Sequence, residues 1–161
     1  MKKKILALSL IASFATLLNA VDFDTKVSIG ATSAKLDGEN YTQYGLGYTA
    51  NTNLNNGIIL GFGNSLYYGN VKSGVDVTTL DMDLRAGYEV MHNLTLFAIG
   101  SGVGQYMDNS TSAGLGYGAS LEYKLTQHVF LEGMYKTTDM RYSTDNKYDY
   151  DTTNFAVKFN Y

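Results

Sequence analysis

Charged residues of both signs stand at every second position in several segments of this 161-residue chain. Between residues 80 and 90, for example, Asp81, Asp83, Arg85 and Glu89 alternate with apolar side chains. Closely spaced carboxylates can carry out acid–base catalysis, but acids that face bases can also neutralise one another as buried pairs. The near balance of signs favours a paired network in the interior of the fold, with these members: Asp24, Lys26, Asp81, Asp83, Arg85, Glu89, Glu122, Lys124, Glu132, Lys136 and Lys158.

Other candidates for chemistry are few. The chain has no Cys, which excludes thiolate metal sites and disulfides. Neither His92 nor His128 has a Ser and an acid at the spacing of a catalytic triad. Residues 145–151 offer oxygen ligands to Ca²⁺ but lack the Gly and the final Glu of an EF-hand loop, so we expect a solvated acidic loop. The glycines of residues 100–104 precede no helix and do not form a dinucleotide site. We therefore predict no catalytic residue, no metal and no cofactor.

The N-terminal residues resemble an export signal. Lys2, Lys3 and Lys4 precede an apolar run over residues 5–18, and Ala20 offers a small residue for cleavage. The run is shorter than the roughly 20 residues that span a bilayer as a helix. We predict a signal peptide over residues 1–20 and one domain over residues 21–161. The chain is acidic, with a formal net charge of −3, and has no basic cluster, so nucleic acid is not an expected partner.

The rest of the chain follows a period of two residues. At the C-terminus Phe155, Val157, Phe159 and Tyr161 alternate with polar residues such as Lys158, as in a β-strand with one apolar face. Seven earlier segments alternate in the same way and none has helical spacing. The sequence therefore predicts an all-β domain of eight antiparallel strands with both termini at one end.

The predicted connections differ in character. Three are turn-like, and the other four are more polar and mostly longer. Short turns on the side of the termini and longer loops opposite are typical of an outer-membrane barrel. The turn-like connections are residues 51–57, 91–93 and 126–128; the longer ones are 37–40, 70–77, 108–113 and 141–149.

The glycines indicate which face points inward. Glycine weakens a strand and gives no benefit on a solvent-facing exterior, whereas the narrow interior of an eight-stranded barrel requires small residues. A Lys or Arg that faced lipid near the midplane would cost about 2–4 kcal/mol. The charged face is therefore expected inside with these glycines: Gly61, Gly63, Gly100, Gly102, Gly104, Gly116 and Gly118. The apolar face would meet lipid, with an aromatic girdle formed by Tyr48, Tyr88, Tyr123 and Tyr161. A soluble barrel with its charged face in solvent is the alternative.

The chain resembles small eight-stranded outer-membrane barrels of the OmpA/OmpX and opacity-protein type. The resemblance rests on the export signal, the eight alternating strands, the small-residue segment 100–104, the hairpin around residues 131–135 and the aromatic C-terminus. It implies an outer-membrane location, contact with outer-membrane lipid and lipopolysaccharide, and a monomer. It also implies that Phe155, Val157, Phe159 and Tyr161 form the signal read by the barrel-assembly machinery.

The resemblance implies no single activity. We expect a structural or surface-interaction role, a charge-filled interior without a wide pore, and no catalysis. A narrow porin-like channel is the main alternative, and a soluble periplasmic ligand-binding barrel is another. Some barrels of this type modify lipid A and carry a His-x-Ser pair, but here His128 is followed by Val129 and Phe130.

Overall fold

Eight antiparallel strands form a closed barrel. The computed structural model describes residues 23–36, 38–54, 57–71, 74–107, 110–142 and 147–161, so the predicted signal peptide lies outside the described residues. Each strand pairs with the next, and the last pairs with the first. The predicted fold class and strand count are confirmed. The strands are β1 (Asp24–Leu36), β2 (Glu39–Asn53), β3 (Ile58–Val71), β4 (Val75–Met91), β5 (Leu94–Met107), β6 (Ser110–Lys124), β7 (Val129–Tyr142) and β8 (Lys147–Asn160).

The strand register sets the width of the barrel. One circuit of paired residues leaves β1 at Lys26 and returns to β1 at Leu36, a stagger of ten positions (36 − 26). A stagger of this size tilts the strands by about 40° and leaves an interior that side chains can just fill. The circuit runs through Lys26, Thr49, Gly63, Asp83, Ser101, Gly116, Thr138, Tyr150 and Leu36.

The strands are longer and the connections shorter than the sequence suggested. Strands contain 13 to 17 residues, whereas about 9–11 tilted residues span the hydrocarbon of a membrane. The predicted long connections shrink to residues 37–38, 72–74, 108–109 and 143–146, so the expected difference in length between the two ends is wrong. The polar residues that were expected in loops extend the strands instead, because backbone hydrogen bonds between strands form with polar and apolar residues alike. Within the described ranges no helix is long and apolar enough to cross a bilayer.

Below, the end that holds both termini is called the terminal end, and the opposite end is called the loop end. The turn between β4 and β5 lies at the terminal end. Asn93 has a φ of 68°, which Asn tolerates better than most residues. Its backbone N–H donates to the Glu89 carboxylate at 3.1 Å, and its carbonyl accepts from the Lys124 N–H at 2.8 Å. A register shift between Glu89 and Met91 completes this tight connection.

This turn decides which face of β5 meets the exterior. It brings Tyr88 opposite Leu96 and Leu84 opposite Gly100, so Leu96 and Gly100 share the outer face with β4's apolar residues. Gly100, Gly102 and Gly104 accordingly have open space where a Cβ would stand. Their predicted place inside the barrel is wrong. The prediction failed because β5 carries its large apolar residues on the inner face, where Phe97, Ile99 and Val103 are buried.

The other glycines of the set do face inward. Cβ atoms at Gly61, Gly63, Gly116 and Gly118 would each approach a side chain that fills the interior. The missing side chains on β6 also let β5 and β7 approach each other across the interior, although they are not neighbours in the sheet. Small residues on β6 therefore make room for the groups on β7.

A matched pair of glycine substitutions tests these faces. In Gly118→Ala the new Cβ would lie 2.1 Å from the Tyr135 carbonyl oxygen and 2.7 Å from Lys136 Cγ, and we expect a loss of about 1–3 kcal/mol in the free energy of unfolding. Gly102→Ala adds its methyl group to open space, and we expect a change within about 0.5 kcal/mol. Urea unfolding of both variants in lipid vesicles measures the difference. Equal losses would contradict the assigned faces.

Candidate functional site

Five charged side chains form a connected network inside the barrel near the terminal end. Lys26 Nζ lies 2.5 Å from Glu122 Oε1, and Lys158 Nζ lies 2.9 Å from Glu122 Oε2. Lys158 Nζ also lies 2.7 Å from Glu132 Oε2, whose other oxygen pairs with the Arg85 guanidinium. All five side chains are at most 5 % exposed. Because every charge has an opposite partner, the network compensates the desolvation that burial imposes.

Neutral groups complete this network. Ser120 Oγ accepts from Arg85 at 3.0 Å and donates to Glu132 at 2.8 Å. The Lys26 ammonium lies 3.7 Å from the centroid of the Phe130 ring, and the Arg85 guanidinium lies 4.3 Å from that of Phe97. Cations attract the faces of aromatic rings. Neither ring was among the predicted site residues. Phe130 stands opposite Lys124 and Lys158 in the strand register, and this was an available signal. Phe97 stands opposite Gly87 and Ser120 and gave no such signal.

A second charged group lies further toward the loop end. Lys136 Nζ is 2.5 Å from Asp81 and 3.0 Å from Asp83, so one cation serves two acids. All three side chains are buried. Asp81 Oδ1 has no hydrogen-bond partner among the described residues. This group is therefore less completely paired than the first network.

The remaining charged residues of the predicted set lie at the terminal mouth of the barrel. Asp24 is 3.2 Å from Lys26, but its side chain is 37 % exposed, and it also accepts from the Asn160 amide. Glu89 and Lys124 are exposed, and Glu89 holds the β4–β5 turn as described above. The structure thus separates eight buried members from three at the rim.

Amides and hydroxyl groups form a layer between the charges and the loop end. Tyr150 donates to Gln43 at 2.9 Å, and the amide groups of Gln43 and Gln105 both donate to Thr79, at 2.9 and 3.1 Å. Tyr148 donates to Gln105 at 2.9 Å. Each donor finds an acceptor on another strand, so the layer ties opposite walls together. The charge pattern of the sequence gave no indication of it.

Apolar side chains close the interior at the loop end. The buried cluster, called the apolar plug below, consists of residues from β1, β2, β4, β5, β7 and β8. Partly buried Leu36, Val71, Val75 and Tyr142 pack against it. Its members are Ala34, Tyr41, Val77, Val103, Met107, Met140, Tyr148 and Tyr150.

The terminal end is more open. A cavity of about 260 Å³ enters the mouth, with Asn51, Glu89, Lys124 and Phe130 in its wall, and reaches the Lys26–Glu122 pair. His92 also lines this mouth, whereas His128 lies in the turn between β6 and β7. No group of three metal-ligating side chains occurs in the described part of the chain. The candidate Ca²⁺ segment does not form the expected loop, because Lys147 to Asp151 belong to β8.

Apolar side chains cover the outside of the barrel. Phe155 and Phe159 on β8 are exposed, and Val157 between them is partly exposed. Tyr88, Tyr123 and Tyr161 are exposed near the terminal end, and Tyr48 packs against Phe62 with 6.3 Å between ring centroids. An apolar exterior around a charged interior is the inverse of a soluble barrel.

Comparison with known proteins agrees with this inversion. A family model described as the outer membrane protein beta-barrel domain matches residues 5–161. The chain belongs to this family. Membership in the outer-membrane barrel family places the protein in the outer membrane and removes the soluble alternative. No curated protein matches the sequence.

Solved structures of outer-membrane barrels share the fold. Neisserial surface protein A superposes with a TM-score of 0.62 at 16 % identity, covering 86 % of this chain and 97 % of that one. The attachment invasion locus protein Ail of Yersinia pestis gives 0.61 at 13 % identity, with coverages of 88 % and 100 %. The N-terminal barrel of Pseudomonas aeruginosa OprF gives 0.54 at 16 % identity, with coverages of 87 % and 100 %. At these identities the likeness concerns the fold alone.

Removing one acid from the five-residue network tests its contribution to stability. Glu132→Gln leaves Arg85 and Lys158 facing a neutral amide in the interior, and we expect the free energy of unfolding to fall by about 3–5 kcal/mol. Glu89→Gln is the matched control, because Glu89 is exposed at the rim and the Gln amide oxygen can still accept from the Asn93 N–H. Its change should stay within about 0.5 kcal/mol. Urea titration in vesicles measures both. A Glu132→Gln barrel as stable as the control would show that the network contributes nothing.

Proposed function

We propose that this outer-membrane barrel acts as a closed structural and surface-interaction protein, without solute conduction and without catalysis. The observation that carries the proposal is the filled interior. Ion pairs, amide and hydroxyl contacts, and the apolar plug succeed one another from the terminal end to the loop end. A solute that entered the terminal mouth would meet the Lys26–Glu122 pair first.

The apolar plug is the strongest barrier in this series. Two of its members, Val77 and Met140, are completely buried. An ion in a dry apolar passage loses its hydration, which costs many times the thermal energy. A narrow water path through the charged part of the interior, near the terminal end, would therefore end at the apolar plug.

The loop end supplies the surface for interaction. Because the strands exceed the membrane-spanning length, their ends carry ordered backbone beyond the apolar band. Lys35, Asp139, Arg141, Lys147 and Asp149 are exposed there. Neisserial surface protein A and Ail use the same scaffold, which supports a surface role of this general kind. The partner itself does not follow from the likeness.

The exterior suits outer-membrane lipid and lipopolysaccharide. Tyr88, Tyr123 and Tyr161 would anchor the terminal end at the membrane interface, where amphipathic rings are favoured. Tyr48, the fourth ring of the predicted girdle, stands opposite Asn64 at the middle of β3 and lies nearer the centre of the wall. The interior charges remain away from lipid in this arrangement. The terminal strand residues Phe155, Val157, Phe159 and Tyr161 would be read by the barrel-assembly machinery before the strand closes against β1.

Planar-bilayer recording tests the closed interior. Purified protein should give no discrete conductance steps, because no aqueous path passes the plug. Lys136→Ala, which removes a buried cation from the interior, serves as the comparison. Steps whose size changes in Lys136→Ala would arise inside the barrel and would favour the narrow channel. Steps of equal size in both proteins would indicate a contaminating porin.

Deletion of Tyr161 tests the assembly signal. The variant should assemble several times less efficiently than Tyr142→Ala, because Tyr142 stacks on Tyr148 at the loop end with 4.7 Å between ring centroids and is distant from the terminal residue. Heat-modifiable gel mobility of outer-membrane fractions measures the folded share. Equal assembly of the two variants would refute the role of Tyr161.

A further inference from the structure

The cavity at the terminal mouth has one acid and one base in its wall that are not in ion pairs. Glu89 on β4 and Lys124 on β6 both line this cavity of about 260 Å³. Asp24, Lys26 and Glu122 in the same wall are paired with one another. Among the described residues, none forms an ion pair with Glu89 or Lys124. Two unlike charges are therefore open to a ligand.

Both charged groups are held in place by contacts that leave them accessible. Glu89 accepts from the Asn93 N–H through Oε1, and its Oε2 is not used in that contact. The Lys124 ammonium lies 5.9 Å from the centroid of the Phe130 ring. Phe130 lines the cavity as well, so an apolar surface adjoins the base.

A buried amide in the same wall also lacks a partner. Asn51 on β2 lines the cavity and is 4 % exposed, yet its Oδ1 accepts no hydrogen bond from any residue that the structure describes. A buried acceptor without a donor is unfavourable. A donor that enters the cavity would satisfy this oxygen.

The strand order separates the unpaired acid from the unpaired base. β5 lies between their strands, and its Thr95 stands opposite Glu89 on one side and Glu122 on the other. Lys124 follows Glu122 by two residues on β6. Adjacent strands are about 4.8 Å apart, so the backbones of Glu89 and Lys124 are separated by roughly 10 Å. A small molecule with opposite charges close together can bridge the charged ends of these two side chains.

We propose that the terminal mouth binds a small zwitterion of the α-amino acid type. Its ammonium group donates to Glu89 and to Asn51 Oδ1, its acid group pairs with Lys124, and its apolar part lies against the Phe130 ring. Charge complementarity selects this class. A simple cation would leave Lys124 unpaired, and a simple anion would leave Glu89 and Asn51 without a donor. A phospholipid head group with an ammonium beside a phosphate carries the same chemistry and is the second source of such a ligand.

Binding at this site is independent of conduction. The cavity opens at the terminal mouth and reaches the Lys26–Glu122 pair, so the ligand enters and leaves by the same opening. Conductance steps in the bilayer experiment would refute the closed interior and would leave this site unaffected. Loss of binding would refute the site and would leave the closed interior unaffected.

Three probes with the same number of carbon atoms test the charge requirement. Near neutral pH, 2-aminobutyrate carries both charges, butylamine carries only the positive charge, and butyrate carries only the negative charge. Ligand-observed NMR titration of the whole barrel in lipid nanodiscs measures their affinities. We expect 2-aminobutyrate to bind about tenfold more tightly than either of the others. Equal affinities of the three probes, or no saturable binding of 2-aminobutyrate, would overturn the proposal.

Two substitutions at the rim assign the charges. Glu89→Gln should remove the preference for 2-aminobutyrate over butyrate, and Lys124→Gln should remove the preference over butylamine. Asp149→Asn and Lys147→Gln, at exposed positions of the loop end, are the matched controls and should change none of the affinities. Heat-modifiable mobility confirms that each variant is folded. Effects of equal size at the rim and at the loop end would contradict the proposed site.

The lipid composition of the nanodiscs distinguishes the two sources of the ligand. Phosphatidylglycerol has no ammonium group, whereas phosphatidylethanolamine has one beside its phosphate. Equal affinity for 2-aminobutyrate in discs of either lipid would support a free zwitterion as the ligand. Weaker binding of the probe in phosphatidylethanolamine discs would show that the head group competes for the same site.

Discussion

Backbone hydrogen bonding in hydrocarbon is the constraint on which the whole molecule depends. A strand with an unpaired edge cannot remain in lipid, so the sheet has to close, and β8 pairs with β1. Closure over eight strands with a stagger of ten fixes the interior width. Once this width is fixed, the sequence determines only which side chains fill the interior. The polar interior, the apolar exterior and the positions of the inward glycines all follow from this geometry.

The interior changes character along the barrel axis. Near the terminal end, water can reach the mouth, and the charged pairs lie next to the mouth on the side toward the loop end. Toward the loop end the polar groups become neutral, and the last layer is apolar. Charges thus lie where solvent is nearest and desolvation is least severe. In the function proposed above, this gradient is what would block the lumen.

The two-residue alternation was sufficient to predict eight strands, their pairing order and the inward direction of residues such as Glu122 and Glu132. It could not show which lysine contacts which acid, because those contacts cross the lumen between strands remote in sequence. The alternation failed on β5, because the residues on either face of this strand could have been the inner ones. The two-residue turn before β5 determines which face points inward. The amide layer around Gln43 and Gln105 could not be predicted from the sequence either, because inward-facing amides have no distinctive spacing.

The short connections at the loop end affect how fast the barrel enters a membrane. When insertion starts from the side on which the termini remain, the loop end has to pass through the hydrocarbon. Long polar loops would take many unpaired peptide groups with them, each at a cost of several kcal/mol. Here each of the four connections contains only two to four residues, and the apolar plug lies directly behind them. Short connections at the loop end therefore lower the kinetic barrier to insertion.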